Sequence, residues 1–263
     1  MSTKVVFISG ANTGIGFETA KAFIQSPNPY YLFLGSRSAE KGNEALERMR
    51  ADNLDVSQVE VVQLDLASDE SIKRAVDVVK TRKGRLDILI NNAGAGFDNY
   101  FIQGKMSLRD CFNQAYDVNV SGANVMTWEF VPLLLKSSTP RILFVAGLSQ
   151  MTAAAESYFP TPPQPAGWPK NISFETIGYR CSKTAMSMLM LDWHHKLKED
   201  GVKVFSVSPG TCATNLGGLG EEVMAAIGGV HPREGGERLL AVAEGNRDAD
   251  AGKILDKTGF LPW

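Results

Sequence analysis

Tyr179 and Lys183 stand four residues apart in Tyr179-Arg-Cys-Ser-Lys183, a stretch that continues with apolar residues at Met186, Leu189, Met190, Trp193 and Leu197. That spacing predicts a helix, and residues four apart on a helix share a face, so a phenol and an ammonium can enter one pocket. A cation beside a phenol favours the phenolate and draws its pKa down from about 10, bringing proton transfer within reach at neutral pH. In isolation such a pair is more often a surface contact. Its weight depends on its company.

Gly10-Ala-Asn12-Thr13-Gly14-Ile15-Gly16 follows an apolar run, Val5 to Ser9, and opens an amphipathic segment. Glycines there permit a tight turn and close backbone approach to a pyrophosphate, with the N–H groups and positive dipole of a helix N-terminus facing it. The spacing is one residue longer than the general dinucleotide fingerprint, and a plain structural turn is the competing reading. After the second apolar run, Leu34-Gly35-Ser36-Arg37-Ser38 puts an arginine where dinucleotide folds set an acid for a ribose 2′-hydroxyl. The planar guanidinium suits a 2′-phosphate instead, so NADP(H) is preferred over NAD(H). A solvated surface arginine is the bland alternative.

The elements that must position these groups are legible as alternation. Apolar runs at Val5 to Ser9, Tyr30 to Leu34, Val59 to Leu64, Leu86 to Ile90, Arg141 to Val145 and Val202 to Val207, with a weak seventh at Lys253 to Leu255, are separated by longer amphipathic segments. This predicts a doubly wound α/β fold around a parallel sheet. A helix is expected from Ser68, a capping residue followed by two acids, with Ile72, Ala75, Val76 and Val79 on one face. No linker divides residues 1–263, which are read as one domain. Residues 150–178 carry five of the twelve prolines and read as an irregular insertion rather than another strand or helix. Residues 214–232, with Gly217, Gly218 and Gly220 and an apolar set at Val223, Met224 and Ile227, read as a flexible substrate lid.

Composition narrows the function classes. A net charge of −2 offers no basic face for nucleic acid, and no run of about 18 apolar residues is present to span a membrane. Three scattered cysteines, Cys111, Cys181 and Cys212, and three histidines supply neither a disulfide framework nor a metal site. The cysteines are read as free thiols of a cytoplasmic, reducing location.

The combination of Gly10 to Gly16, Asn91-Asn92-Ala93-Gly94, Asn119, Tyr179 with Lys183, and Pro209-Gly210 resembles, in order and spacing, the short-chain dehydrogenase/reductases. The resemblance covers essentially the whole chain. The second run and the ending Thr258-Gly-Phe-Leu-Pro-Trp are similar to fungal carbonyl-reductase-type members, which implies a place in specialised metabolism. It implies a Rossmann sheet of seven strands, with Asp65 and Leu66 beside the adenine, Asn92, Ala93 and Gly94 on the ribose side, and Thr214 against the nicotinamide amide. It further implies Tyr179 as general acid/base, Lys183 as ribose ligand and tuner of the phenol, and Asn119 holding a water in the proton relay. Homodimers or homotetramers, built on helices around residues 107–136 and 179–198, and a small carbonyl or alcohol substrate follow from the same resemblance.

One element departs from the family. Its serine at the end of the fifth strand falls, in Arg141-Ile-Leu-Phe-Val-Ala-Gly147-Leu-Ser149, on Gly147 or Ala146. Ser149 either supplies that hydroxyl from a remodelled strand end or is a turn residue bonded to its own backbone. The expected activity is NADPH-dependent reduction of a carbonyl, or a conjugated imine or enone, of an apolar molecule. A non-redox cyclisation or isomerisation on a bound cofactor and a non-catalytic cofactor sensor are the alternatives. Replacing Arg37 with Ala is expected to weaken NADPH binding by about 1.5–3 kcal/mol, the scale of a hydrogen bond to a charged group, and to leave NADH binding nearly unchanged. Titrating the variant with both cofactors checks this, and equal losses would overturn the 2′-phosphate assignment.

Overall fold

Alternate residues of each apolar run face opposite sides of one sheet. Val5 and Phe7 belong to one core and Val6 and Ile8 to the other, the two-residue period of a strand buried on both faces. The computed structural model describes residues 3–147, 149–158, 163–172 and 174–263. Its strands are β1 (Lys4–Ser9), β2 (Tyr30–Ser36), β3 (Val59–Gln63), β4 (Ile88–Asn91), β5 (Arg141–Val145), β6 (Lys203–Val207), β7 (Ile254–Leu255) and β8 (Phe260–Leu261). They lie in the order β3-β2-β1-β4-β5-β6-β7-β8. All neighbours are parallel except β7 and β8.

Eight strands replace the seven expected. The extra one is two residues long, too short to carry a period, and folds back on β7 through a turn in which Asp256 Oδ1 accepts the N–H groups of Thr258 and Gly259, both at 2.8 Å. The single α/β domain with a mostly parallel sheet stands as expected.

Helices α1 (Gly14–Gln25), α2 (Ala39–Ala51) and α10 (Pro232–Ala243) cover one face; α3 (Asp69–Lys83), α6 (Ala123–Leu134) and α8 (Ile177–Leu197) cover the other. Ser68 caps α3 as expected, accepting the Ser71 N–H at 3.2 Å. Two short helices, α4 (Asp98–Ile102) and α5 (Leu108–Tyr116), follow β4, and α7 (Met151–Glu156) and α9 (Glu221–Ala226) lie in the segments read as insertion and lid. The presence of α7 corrects the reading of residues 150–178 as wholly irregular. Its Met-Thr-Ala-Ala-Ala-Glu sequence precedes the first proline and is rich in strong helix formers. Pro160 and Pro162 lie outside the described residues.

The chain reverses direction across the sheet at β1. From there it runs outward to β2 and β3, then returns to β4 on the other side. Crevices at the carboxyl ends of strands beside such a switch are where open α/β sheets hold ligands. The Gly10 to Gly16 turn follows β1 and Asn92-Ala93-Gly94 follows β4, so both open onto the same crevice. Packing of α10 fixes the direction of α1. A side chain at Gly236 would stand 2.7 Å from the backbone of Glu18 and Thr19, so the two helices touch main chain to main chain there.

Candidate active site

The glycine turn is built for close approach. Gly10 (φ +64°) and Gly14 (φ +56°) occupy left-handed conformations that side chains disfavour. A Cβ on Gly10 would lie 2.9 Å from Ala93 Cα, one on Gly14 would lie 3.1 Å from Thr214 Cγ2, and one on Gly16 would overlap Asn92 Nδ2. The Asn92 amide locks the arrangement, donating to the carbonyls of Ser9 at 2.8 Å and Gly10 at 3.1 Å. Buried Ser9 accepts the N–H groups of Asn92 (3.1 Å) and Ala93 (3.0 Å) on its hydroxyl. Thr13 makes no side-chain cap on α1, which leaves the first-turn N–H groups of that helix without that partner. Gly10, Gly14, Gly16, Asn92, Ala93 and Thr214 therefore converge. Pro209 and Ile15 meet through Gly235, whose Cβ would lie 2.9 Å and 3.4 Å from them, and Gly210 turns at φ +83°. These are the surfaces a dinucleotide needs: a cradle that a Cβ would fill, and an unspent helix N-terminus.

At the adenine end the predicted residues are more dispersed. Ser36 is buried and its hydroxyl is used on the Ser38 carbonyl at 2.8 Å. Arg37 is exposed, and its guanidinium makes no ion pair among the described residues. Asp65 turns its carboxylate onto the Ala67 N–H at 3.1 Å, and the Leu66 carbonyl abuts Gly122 at the start of α6. The sequence reading missed Arg48. From α2 it donates to the Asn12 carbonyl at 2.5 Å and lies 4.4 Å over the Phe17 ring, placing a second guanidinium beside the turn. Nothing in its local spacing signals this.

The second cluster sits deeper. Tyr179 and Lys183 share a face of α8 as the spacing predicted. Lys183 is 2% exposed, and its ammonium donates to the Val145 carbonyl at the end of β5 at 2.9 Å. A Cβ on Gly94 would stand 3.1 Å from Lys183 Nζ and 3.4 Å from Asn119 Oδ1, and one on Gly96 would stand 3.6 Å from the Tyr179 ring. Asn119 lies in a π-helical turn, Asp117–Gly122, between α5 and α6, a device that re-aims side chains at functional sites. Its Oδ1 accepts the Ala95 N–H and its Nδ2 donates to the Ala95 carbonyl and to Ser182 Oγ, all at 2.8 Å. Both amide hydrogens are thus used, and the side chain keeps only the second lone pair of its oxygen for a water. Ser182, also missed, passes the chain on by donating to the Tyr179 carbonyl at 2.6 Å.

Burial sets the electrostatics, and it corrects one expectation. The Tyr179 phenol is pushed above its ordinary pKa by desolvation, with a smaller push from Cys212, rather than drawn down by the ammonium. Lys183 is itself lowered to about 7 by burial, so it offers less than a full charge near neutrality, and its Nζ lies 5.5 Å from the ring centroid. Ser149 is 4% exposed, and its hydroxyl has no hydrogen-bond partner among the described residues, so the turn-residue reading lacks its backbone bond. Among the described residues a Cβ on Gly147 would meet only Ser208 Oγ, at 3.8 Å, and its φ lies outside the left-handed range. Among the described residues no helix is long and apolar enough to cross a membrane, and no group of His, Cys, Asp and Glu could hold a metal ion. The depressed Lys183 pKa has a signed consequence. Between pH 7 and 8.5 the unfolded chain holds this proton more tightly than the folded one, so stability rises with pH by up to about 1.4 kcal/mol per unit. Urea unfolding of the cofactor-free protein should show that slope, and Lys183→Met should lose it.

Comparison with known proteins agrees with this geometry. A family model described as short chain dehydrogenase matches residues 4–158. The short-chain dehydrogenase/reductase tropE of Talaromyces stipitatus is 43% identical over 263 residues, spanning 97% of this chain and 96% of its own. The short-chain dehydrogenase/reductase eupG of a Phoma species is 39% identical over 273 residues, spanning 98% and 97%. The NADPH-bound carbonyl reductase from chicken fatty liver shares the fold, with a TM-score of 0.79 at 24% identity over the whole of both chains. With a close-packed glycine turn at the sheet's switch point, a tyrosine and lysine on one helix face, a family model matching residues 4–158 and near-full-length relatives, the chain belongs to the short-chain dehydrogenase/reductase family.

Proposed function

We propose that this chain is an NADPH-dependent reductase of a carbonyl, or of a conjugated imine or enone, on an apolar small molecule, with Tyr179 as general acid. The observation that carries the reading is the placement of Gly94 between Lys183 Nζ and Asn119 Oδ1, which brings the tyrosine-bearing helix and the turn after β4 against one site. When bound, dihydronicotinamide supplies the hydride. The α1 N-terminus and the glycine turn take the pyrophosphate, Arg37 the 2′-phosphate, Lys183 and Asn92-Ala93-Gly94 the ribose, and Thr214 the carboxamide.

Tyr179 gives its proton to the carbonyl oxygen as the carbonyl carbon is reduced, leaving an alcohol and a phenolate. A phenol is protonated at neutral pH, the state a general acid requires at the start of a reduction, and burial raises the Tyr179 pKa further at the expense of its acid strength. Lys183 and a water on Asn119 return a proton to it. Ser149, with an unspent buried hydroxyl, donates to the substrate oxygen in place of the family serine absent at Gly147. Solved proteins of this fold carry NADPH and also NAD or NADH, so the fold supports a nicotinamide dinucleotide and Arg37 alone carries the choice of NADPH. Exposed Trp128, Leu135 and Met188 on α6 and α8 support a second copy packing there.

The absent hydroxyl at Gly147 favours a second reading, a non-redox rearrangement templated by bound cofactor. NADPH oxidation across a panel of aromatic and aliphatic carbonyls separates the two, because the second forms product without net oxidation. Tyr179→Phe is expected to bind NADPH nearly unchanged and to lose about 10²-fold or more in turnover; an active Phe variant would mean that the proton comes from elsewhere. Ser149→Ala removes a donor aimed at developing negative charge and is expected to slow chemistry by roughly 10²-fold. A kinetically silent Ser149→Ala under chemistry-limited conditions would reduce the site to Asn119, Tyr179 and Lys183.

A further inference from the structure

We infer that Asp98 is a positioning residue for the reaction: its carboxylate reaches from α4 across the site and fixes the first turn of α8, and with it the seat of Tyr179. The catalytic half of this inference rests on the reductase reading; the anchoring half does not. Asp98 is 5% exposed, and its two oxygens divide between neighbouring amides. Oδ1 accepts the Gly178 N–H at 2.7 Å and Oδ2 accepts the Tyr179 N–H at 3.0 Å, across 80 and 81 residues of sequence.

An α-helix leaves its first N–H groups without partners inside the helix. Thr176, at the cap position of α8, makes no side-chain cap on the helix. Glu175 Oε1 takes the Thr176 and Ile177 amides at 2.8 and 3.1 Å, leaving the next two for Asp98. Gly178 is shaped for this contact, since a Cβ there would come within 3.1 Å of both Asp98 Oδ1 and Cys111 Sγ. A carboxylate at a helix N-terminus interacts favourably with the dipole. One drawn from another element at this burial must also offset its desolvation, which raises the Asp98 pKa against the lowering effect of the two amides.

What distinguishes Asp98 from an ordinary cap is where it comes from. It closes the segment that begins at Asn92 and passes Gly94, beside Lys183 and Asn119, and Gly96, beside the Tyr179 ring. One stretch of seven residues therefore touches the glycine turn at one end and the main chain of the tyrosine at the other. The distance between the cofactor cradle and the phenol is set by this stretch, and Asp98 is the bond that closes it.

The test uses full-length Asp98→Ala and Asp98→Asn, saturated with NADPH, on a carbonyl that the panel above shows to be reduced. Misplacing a reacting group by about 1 Å costs on the order of 10²-fold, so Asp98→Ala is expected to lose about 10- to 100-fold in kcat. KM and the NADPH Kd should stay within about twofold. Asp98→Asn, which keeps one acceptor oxygen, should recover part of the loss. Hydrogen exchange of the 176–180 amides should speed up in Asp98→Ala while the β1 and β4 amides stay protected, a local signature that general destabilisation would not produce. Unchanged kcat in either variant, or exchange that rises everywhere together with KM and Kd, overturns the inference. If Asp98→Ala does not fold, the kcat of Asp98→Asn decides. If the wild type reduces nothing in the panel, the reductase reading falls, and the anchor stands or falls on the exchange measurement alone.

Discussion

The site depends on one constraint: two backbone segments must meet without side chains between them at the point where the sheet reverses direction. The turn after β1 and the turn after β4 approach so closely that a Cβ on Gly10 would lie 2.9 Å from Ala93 Cα. The Asn92 amide then closes the gap with two carbonyl bonds, meeting the backbone polar groups that such proximity would otherwise leave without partners. Everything with chemical potential is referenced to this junction. Thr214 reaches it through Gly14, and the α1 N-terminus is aimed by it. From its far side the chain continues through Gly94 and Gly96 to the tyrosine-bearing helix.

The lysine is the junction's electrostatic counterpart. An ammonium at 2% exposure is costly unless bonded, and among the described residues Lys183 donates to the Val145 carbonyl, with the Met186 sulfur at 3.2 Å. Its depressed pKa and the raised pKa of Tyr179 have the same cause, desolvation. The two groups are therefore held closer to neutral than a surface pair of the same sequence would be. Such a site keeps the phenol protonated before any ligand enters, and makes it a weaker acid than a free tyrosine.

Local patterns were legible and distant ones were not. The glycine turn, the four-residue spacing of Tyr179 and Lys183 and the two-residue alternation of the strands each lie within one element, so periodicity reports them. Ser68 as a helix cap was readable for the same reason. Asp98, Arg48 and Ser182 act on partners 80, 36 and 63 residues away, and nothing in their neighbourhood marks them. The direction of the Tyr179 shift was misread because a sequence shows the neighbouring cation but not the depth of burial. Strand β8 and helix α7 escaped because two and six residues are too few to establish a period against prolines and glycines nearby.

The departure at the end of β5 is best understood through the cost of an unpaired group. Gly147 has no left-handed φ, and a Cβ there would make only ordinary van der Waals contact with Ser208 Oγ, at 3.8 Å, so among the described residues nothing steric forbids a serine there. Ser149, by contrast, is buried with no partner for its hydroxyl among the described residues, a state that costs about 1–3 kcal/mol when no partner is supplied. A fold with no use for that hydroxyl would gain by alanine at the same position. Unsatisfied buried groups that persist are explained by a ligand, a water or a catalytic role. All three place polar contact two residues beyond the family's serine, nearer the segment that carries the exposed side chains of Met151, Tyr158 and Trp168. On the reductase reading, the carbonyl would then be held farther toward an apolar and aromatic rim.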